Sequence, residues 1–571
     1  MELPRTLSIV SYAVNGRGLG HLSRQVAIHR WLRRYATFAG IRSQHWFLTT
    51  SEADTLLFHE GFAGFKLPSK SVVAEAGISK PSYLALAKQW IWHSVALLRP
   101  DLFVVDTFPG GSFQELLGVL DLCKHPALVL RPVRPEFAGR PSFRALAGLY
   151  ERVIVPSDAA SEPGLAAALG LASDRLRFVG PIMRGEAFER LDRSQARARL
   201  GIPAQARCVL VSGGGGGDDD VARLFEAVEA SARTLEAESA SAPPLWLVFA
   251  AGPLFRGRPL TGSRRIWWTT PDLPPLLSAF DAAICAGGFN AVHELSFAGV
   301  PTAFVPQRKI ADDQHDRVRG FVEAGAALCV ELSPQPRADP QLLAALRELL
   351  DPNRGPALAT QARARVPTNN ARAAASELLG LCLPAAILDH AKDALDEALL
   401  TELGASGVSL ADLVQLSVDL QDPRTPVDRS ELALAPTLDL LAETRELGVP
   451  LPQLSRLAKL MARRIKSEAI NPELLGELLL TVLRAPASAG QWSALTMVLD
   501  ALPGDRSLDA PAFVARLLRL LDTAAHTGHD LLALARVILE QPPGLAGERL
   551  YAGLHSQLRA PPTGPGEGAP P

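Results

Sequence analysis

A histidine set directly behind a glycine-rich turn is the first group in this 571-residue chain equipped to move a proton. The segment Asn15-Gly16-Arg17-Gly18-Leu19-Gly20-His21-Leu22-Ser23-Arg24 follows an apolar run and opens a helical pattern. Gly16, Gly18 and Gly20 let the backbone turn tightly at the carboxyl end of a strand, where open α/β sheets bind ligands. His21 then stands where a substrate would lie, as a base that titrates near neutrality. The alternative is an exposed loop histidine behind a plain turn. Asp106 closes the run Phe103-Val104-Val105 ahead of the turn Pro109-Gly110-Gly111. A carboxylate at that edge either holds an imidazole in one tautomer and stabilises its protonated form, or caps a helix beginning near Ser112.

A second group of residues suits an anion. The run Val209-Leu210-Val211-Ser212 leads into five glycines, 213–217, and then Asp218-Asp219-Asp220. Such a loop can cradle phosphate with backbone N–H groups, but three aspartates would repel a diphosphate, and no Gly-Lys-Ser/Thr follows. Gly213 and Gly214 are therefore read as part of a flexible loop at an interdomain cleft rather than the main phosphate grip. The richer stretch runs from Asp281 through Cys285-Ala286-Gly287-Gly288-Phe289-Asn290 to Glu294 and on to Pro306. Bare N–H groups at 287–290 face the positive end of a helix, where a diphosphate would sit. Glu294, about two turns on, can accept hydrogen bonds from ribose hydroxyls. Asp313 and Gln314, after the next strand, offer a carboxylate and an amide to sugar hydroxyls.

The elements that must hold these groups alternate short apolar runs with amphipathic stretches, the pattern of βαβ units on parallel sheets. Strands are expected at 7–12, 45–49, 102–106, 127–130 and 152–155, then at 208–212, 245–250, 282–285, 302–305 and 327–330. The fold class is α/β: two Rossmann-like domains in tandem, 1–182 and 183–384, followed by an all-α helical domain at 385–558 and a disordered Pro/Gly tail at 559–571. Helices are expected at 385–403, 408–420 and onward in short steps to 546–558, with no clean internal period.

Residues 1–384, with these landmarks in this order, resemble the GT-B glycosyltransferases, most closely glycosyltransferase family 28, which includes the lipid II N-acetylglucosaminyltransferase of peptidoglycan synthesis. The resemblance implies an inverting, metal-independent, cofactor-free transfer of a hexosyl or N-acetylhexosaminyl group from a nucleotide-diphosphate sugar, a UDP-sugar, to an unidentified acceptor hydroxyl. It places His21 as the base and Asp106 as its partner. Glu294 goes to the donor ribose, Gln314 to the transferred sugar, and Asn290 near the diphosphate. The all-glycine loop followed by aspartates departs from the family's Gly-Gly-Ser-Gln-Gly, and the looser first loop does not imply the peptidoglycan acceptor. Two other readings compete: a nucleotide-sugar hydrolase of the same fold, and a non-catalytic binding module with a helical interaction domain.

Composition sets the outer limits. Lys and Arg number 58 against 60 Asp and Glu, a net charge of -2 that argues against a nucleic-acid binder. Residues 385–571 carry 16 basic and 24 acidic residues, so the helical part is acidic and the rest mildly basic, consistent with an anionic donor on one part and a protein partner on the other. Five scattered cysteines and the isolated pair His526 and His529 imply neither disulfides nor a metal site. The expected location is cytoplasmic, with no transmembrane segment. Trp90 and Trp92 suggest either contact with the inner face of a membrane or, as the alternative, a crossover helix packed on the sheet. The basic stretch from Arg456 to Lys466 reads as a solvated helix face.

Overall fold

The computed structural model describes residues 6–419 apart from 15–17, 113, 134, 219, 239–241, 308–313, 334–338 and 407, and six single positions beyond 419. The chain divides into two compact units, residues 1–37 with 41–389 and residues 38–40 with 390–571.

The first unit holds two all-parallel sheets. One contains β1 (Thr6–Ala13), β2 (Arg42–Thr49), β3 (Ala63–Lys66), β4 (Leu102–Asp106), β5 (His125–Val129), β6 (Arg152–Val155) and β7 (Leu176–Phe178), in the order β3-β2-β1-β4-β5-β6-β7. The other contains β8 (Arg207–Ser212), β9 (Leu245–Ala250), β10 (Arg265–Trp268), β11 (Ala282–Ala286), β12 (Thr302–Val305) and β13 (Leu328–Cys329), in the order β10-β9-β8-β11-β12-β13. Both sheets reverse winding direction next to their first strand, between β1 and β4 and between β8 and β11. Crossovers leave those two neighbours on opposite faces, so a crevice opens beyond their carboxyl ends.

The central strands form because they are apolar on both faces, as a parallel sheet covered by helices requires. All five residues of β4 and of β11 are buried. The three strands not anticipated, β3, β7 and β10, are short and mostly half-exposed, and each contains a basic residue. All three, with β13, are sheet edges, where natural sequences avoid long apolar runs.

Helices that matter here are α1 (Gly20–Phe38), α2 (Lys80–Leu98), α3 (Val221–Glu238), α4 (Phe289–Ala298), α5 (Gln314–Glu323) and α6 (Ala371–Leu379). α2 is the crossover between β3 and β4. It buries Tyr83, Ala87, Ile91 and Val95 and packs Trp90 partly into the core, while Leu86, Trp92 and Leu97 stay exposed. α6 returns from the second sheet to the first, where Glu377 takes a hydrogen bond from Arg152 Nη1 at 2.6 Å and Arg372 Nε donates to Tyr35 Oη at 3.1 Å.

No helix begins near Ser112 among the described residues; a bend at 114 and turns at 115–119 lead into one 3-10 turn at Leu120–Leu122. The single helix expected at 385–403 is two, α7 (Ala385–Ala394) and α8 (Glu397–Ser406), because Asp396 Oδ1 accepts the Leu399 N–H and starts a new helix. In the second unit α9 (Leu410–Asp419) follows α8. The helices expected from 430 onward, the 456–466 basic stretch, His526, His529 and the tail lie outside the described residues.

Candidate active site

The crevices of the two sheets face one cavity of about 710 Å³ inside the first unit. His21 is the second residue of α1, and Asp106 the last of β4, so each flanks the switch point of the first sheet. Their side chains meet: Nδ1 of His21 lies 2.5 Å from Oδ1 of Asp106. The helix-capping alternative for Asp106 is thereby excluded.

Asp106 is fully buried and receives a ring of donors. Arg24 gives Nη2–H to Oδ1 at 2.9 Å and Nε–H to Oδ2 at 3.0 Å. Thr107 Oγ1 donates to Oδ1 at 2.7 Å, and Gln25 Nε2 to Oδ2 at 3.3 Å. Burial alone would raise the carboxyl's pKa, but Arg24 first and His21 second outweigh it and hold the group well below the usual carboxylate range. A carboxylate can only accept, so Nδ1 of His21 carries the proton and Nε2 the lone pair. Burial pushes the His21 pKa down; Asp106 opposes this, while Arg24 and Arg131 reinforce it. The result is a neutral imidazole in a fixed tautomer at the cavity wall, the form a general base needs.

Thr107 shows what holding Asp106 in place requires. Its φ is 61°, a left-handed conformation that a β-branched residue rarely adopts. Strain of this kind persists where the surroundings over-determine it, and here Thr107 Oγ1 is engaged with the Asp106 carboxylate.

The facing wall belongs to the second sheet. After β11, Gly287 and Gly288 turn the chain into α4, with Gly288 as its N-cap. The N–H groups of Phe289, Asn290 and Ala291 have no acceptor within the helix. Gly288 N–H donates to Ala286 O at 2.9 Å, so of the four bare donors expected at 287–290 this one is already used. A Cβ on Gly288 would meet nothing within 4 Å, so that glycine leaves open space in front of the helix end.

Asn290 joins the walls: its Nδ2 donates to Gly20 O at 3.2 Å, and its Oδ1 is buried without a donor. The glycine loops meet as well, since a Cβ on Gly215 would lie 3.0 Å from Leu19 N and 3.3 Å from Gly18 Cα. Gly213 and Gly214 line the cavity beside them, with Gly18 and Gly20 across from them.

Glu294 and Gln314 also line the cavity. Arg184 N–H donates to Glu294 Oε1 at 3.2 Å. Burial raises the Glu294 pKa, and Arg184 partly offsets the rise. Gln314, the first residue of α5, accepts the Gln307 N–H on Oε1 at 2.9 Å, so the donor capacity of this lining residue rests on its amide nitrogen. Gly16 and Asp313 lie outside the described residues.

The part of the chain that supplies this second wall has relatives. Residues 269–378 match the glycosyltransferase family 28 C-terminal domain. The segment resembling family 28 thus contains Gly287, Gly288, Asn290, Glu294 and Gln314, and the two sheets facing one cleft form the GT-B arrangement. A search among curated proteins gives no match. Among solved structures, the chain is similar to the glycotransferase of kitacinnamycin (19% identity, 67% of this chain and 100% of that one, TM-score 0.44). It is similar also to MurG of Acinetobacter baumannii (18% identity, 66% and 100%, TM-score 0.41). A third is a UDP-N-acetylglucosamine 2-epimerase (11% identity, 66% and 96%, TM-score 0.44).

Sequence reasoning did not single out Arg24, Gln25, Thr107, Arg131 or Arg184. For Arg24 and Gln25 a signal existed, because spacings of three and four from His21 put them on the same side of a helix. Arg184 is buried outside any motif, where its Nη1 reaches Glu60 Oε1 at 3.4 Å and its Nη2 bonds Pro271 O.

Proposed function

We propose that the chain is an inverting, metal-independent glycosyltransferase that takes a hexosyl or N-acetylhexosaminyl group from a UDP-sugar. The observation that carries this reading is the oriented His21–Asp106 pair facing the open N-terminus of α4 across one cavity. The family 28 match over the second wall supports it.

In this mechanism His21 Nε2 removes the proton of the acceptor hydroxyl. The hydroxyl oxygen forms a bond to the anomeric carbon while the bond to the diphosphate breaks on the opposite face, and the electron pair leaves with the phosphate oxygen. Asp106 stabilises the imidazolium that forms. The departing charge develops in front of the Phe289, Asn290 and Ala291 N–H groups, which act as pre-aligned donors at a helix dipole's positive end. Glu294 holds the ribose through its remaining acceptor capacity, and the Gln314 amide nitrogen donates to a sugar hydroxyl. Asp313 is assigned to the same sugar.

The reading extends to place and partners. No helix among the described residues is long and apolar enough to cross a membrane. A cytoplasmic enzyme that touches the inner face of a membrane through Leu86, Trp92 and Leu97 on α2 fits that surface. The acidic helical part would take a protein partner.

A thermal-shift panel of UDP-sugars on the wild type and Glu294→Ala tests the donor site, because a ligand that binds only the native fold raises Tm by mass action. One UDP-sugar is expected to stabilise the wild type alone. Incubation of that sugar without acceptor separates transfer from hydrolysis, since a hydrolase releases free sugar at full rate. General-base action contributes ~10²–10⁴-fold, so His21→Ala should lose that much turnover while keeping the thermal shift. Unchanged turnover in this variant would remove His21 from the role of base.

A further inference from the structure

His21, Gln25 and His29 lie four residues apart on α1 and so form one row down the side of the helix that faces β1 and β2. Gln25 and His29 are fully buried, and polar groups so placed must be partnered. Their partners are continuous. Gln25 Nε2 reaches Asp106 Oδ2 at 3.3 Å, and Ser11 Oγ in β1 lies 2.9 Å from Gln25 Oε1. His29 Nε2 lies 2.6 Å from the same Ser11 Oγ. His29 Nδ1 and His45 Nδ1 are 3.0 Å apart, and His45 Nε2 is 2.9 Å from Ser43 Oγ at the half-exposed start of β2.

The direction of every bond follows from one charge. Asp106 is a carboxylate and accepts only, so Gln25 turns its NH₂ toward it and its Oε1 toward Ser11. The Ser11 hydroxyl hydrogen goes to Gln25, so Ser11 Oγ accepts from His29 and puts the His29 proton on Nε2. His29 Nδ1 is then an acceptor, His45 donates from Nδ1, and His45 Nε2 accepts the Ser43 hydroxyl. All five donations point toward Asp106, and bonds aligned this way polarise one another.

Both histidines must be neutral for this to hold, and their surroundings keep them so. Burial lowers the His29 pKa first, then His45 and Arg33; burial and then Arg33 bring His45 down to about 3. Phe47 stands 4.4 Å from the His29 ring, Phe62 stands 5.6 Å from the His45 ring, and Arg33 lies over Phe62.

We propose that Gln25, Ser11 and His29 are positioning residues of the His21–Asp106 pair, acting as a one-way chain of hydrogen bonds that occupies Asp106 Oδ2 and sets the charge His21 sees. The inference rests on the reading of His21 as the base. It differs from that reading in its test, which needs neither donor nor acceptor.

The full chain is labelled with [¹⁵N]histidine, and long-range proton–nitrogen spectra give the tautomer and titration midpoint of each ring. In the wild type His29 is expected as the Nε2–H tautomer, and His21 and His45 as Nδ1–H. Gln25→Leu removes the donor to Asp106 Oδ2 and Ser11→Ala the hydroxyl that polarises that donor; both concentrate the carboxylate's negative charge and should shift the His21 midpoint upward. The other charges facing His21, Arg24 and Arg131, are unchanged by these substitutions. Ser11→Thr keeps the hydroxyl and should restore the wild-type midpoint. His29 found as Nδ1–H, or a His21 midpoint unmoved in both Ser11→Ala and Gln25→Leu, overturns the proposal. Full turnover in His21→Ala would instead overturn the base reading and leave the spectra to decide the chain.

Discussion

Asp106→Asn changes one oxygen to NH₂ at a carboxylate that five donors surround. In one orientation the new N–H groups face Arg24 Nη2, Thr107 and the His21 ring; in the other they face Arg24 Nε and Gln25. Either way a donor is set against an Arg24 donor. The Arg24 guanidinium, 1% exposed, keeps its charge and loses its counter-ion. Removing one partner of a buried ion pair costs about 3–5 kcal/mol, and that is the loss expected here. The His21 tautomer is also freed, and by the logic of an oriented histidine turnover should fall by about 10⁴-fold. Denaturant unfolding and initial rates measure the two losses separately. The informative comparison is Asp106→Asn combined with Arg24→Met, which removes the orphaned cation. The double variant should recover most of the lost stability and none of the activity. If its destabilisation instead equals the sum of the two single losses, the charge pair is not the source and the argument fails.

Buried neutral histidines also tie stability to pH. Burial lowers the pKa of His21, His29, His45 (to about 3) and His293 (to about 4) in the folded state, so between those values and ~6.5 the unfolded chain binds more protons. The rings' contribution should therefore be full above pH ~6.5 and drop as pH falls below it, with Asp106 adding its own loss only below ~4, while the buried Glu186 carboxyl, raised to about 7, acts in the opposite sense. In Glu186→Gln, which removes that opposing carboxyl, Tm measured from pH 8 to 5 should decline, and a flat profile would contradict the burial of these rings. Gly288→Ala should leave Tm unchanged, because the new Cβ meets nothing within 4 Å, yet abolish the UDP-sugar thermal shift by filling the space before α4. Gly216→Ala should do the reverse and lower Tm without ligand. Its φ of 80° suits only glycine, and a Cβ would strike Ala251 O and crowd Phe255 N at 2.9 Å. Arg24→Lys keeps the charge but loses the fork that spans both Asp106 oxygens, so turnover should fall while the Tm cost stays below that of Asp106→Asn.

The sequence exposed the parts of this molecule that obey local rules. β1, β4, β8 and β11 are largely apolar because helices cover both faces, and their carboxyl ends are located from those runs despite Ser11 in β1 and the polar ends Asp106 and Ser212. Strand position puts His21 and Asp106, 85 residues apart, at one sheet edge, but leaves Asp106 open between the imidazole and a helix cap; the pairing itself is what the family resemblance implies. Edge strands β3 and β10 carry no comparable run, and a three-residue β7 has too little sequence to show a period. Arg24 reads like any solvated helix arginine until Asp106 is folded against it. Thr107 gives no hint of a left-handed backbone, because that conformation is imposed by its neighbours and not by its own preference. The His29–His45 contact depends on the β1–β2 register, Ile9 opposite His45, which no local pattern encodes.

The two sheets share one strand order, so the halves form a pseudo-repeat and can be compared position by position. In each half a helix starts beside the switch point with its positive end toward the shared cavity, α1 after the first strand of its sheet and α4 after the fourth strand of its own. In the first half the anion that such an end favours is already built in, as Asp106 lies against His21, Arg24 and Gln25 in the first turns of α1. In the second half the N-terminus of α4 opens on Gly288, where an added Cβ would meet nothing within 4 Å. The helix end in the first half is thus matched by a carboxylate of the protein itself. On the proposed reading, an uncharged acceptor meets a helix end whose charge is already balanced, and the donor brings its diphosphate to the end of α4.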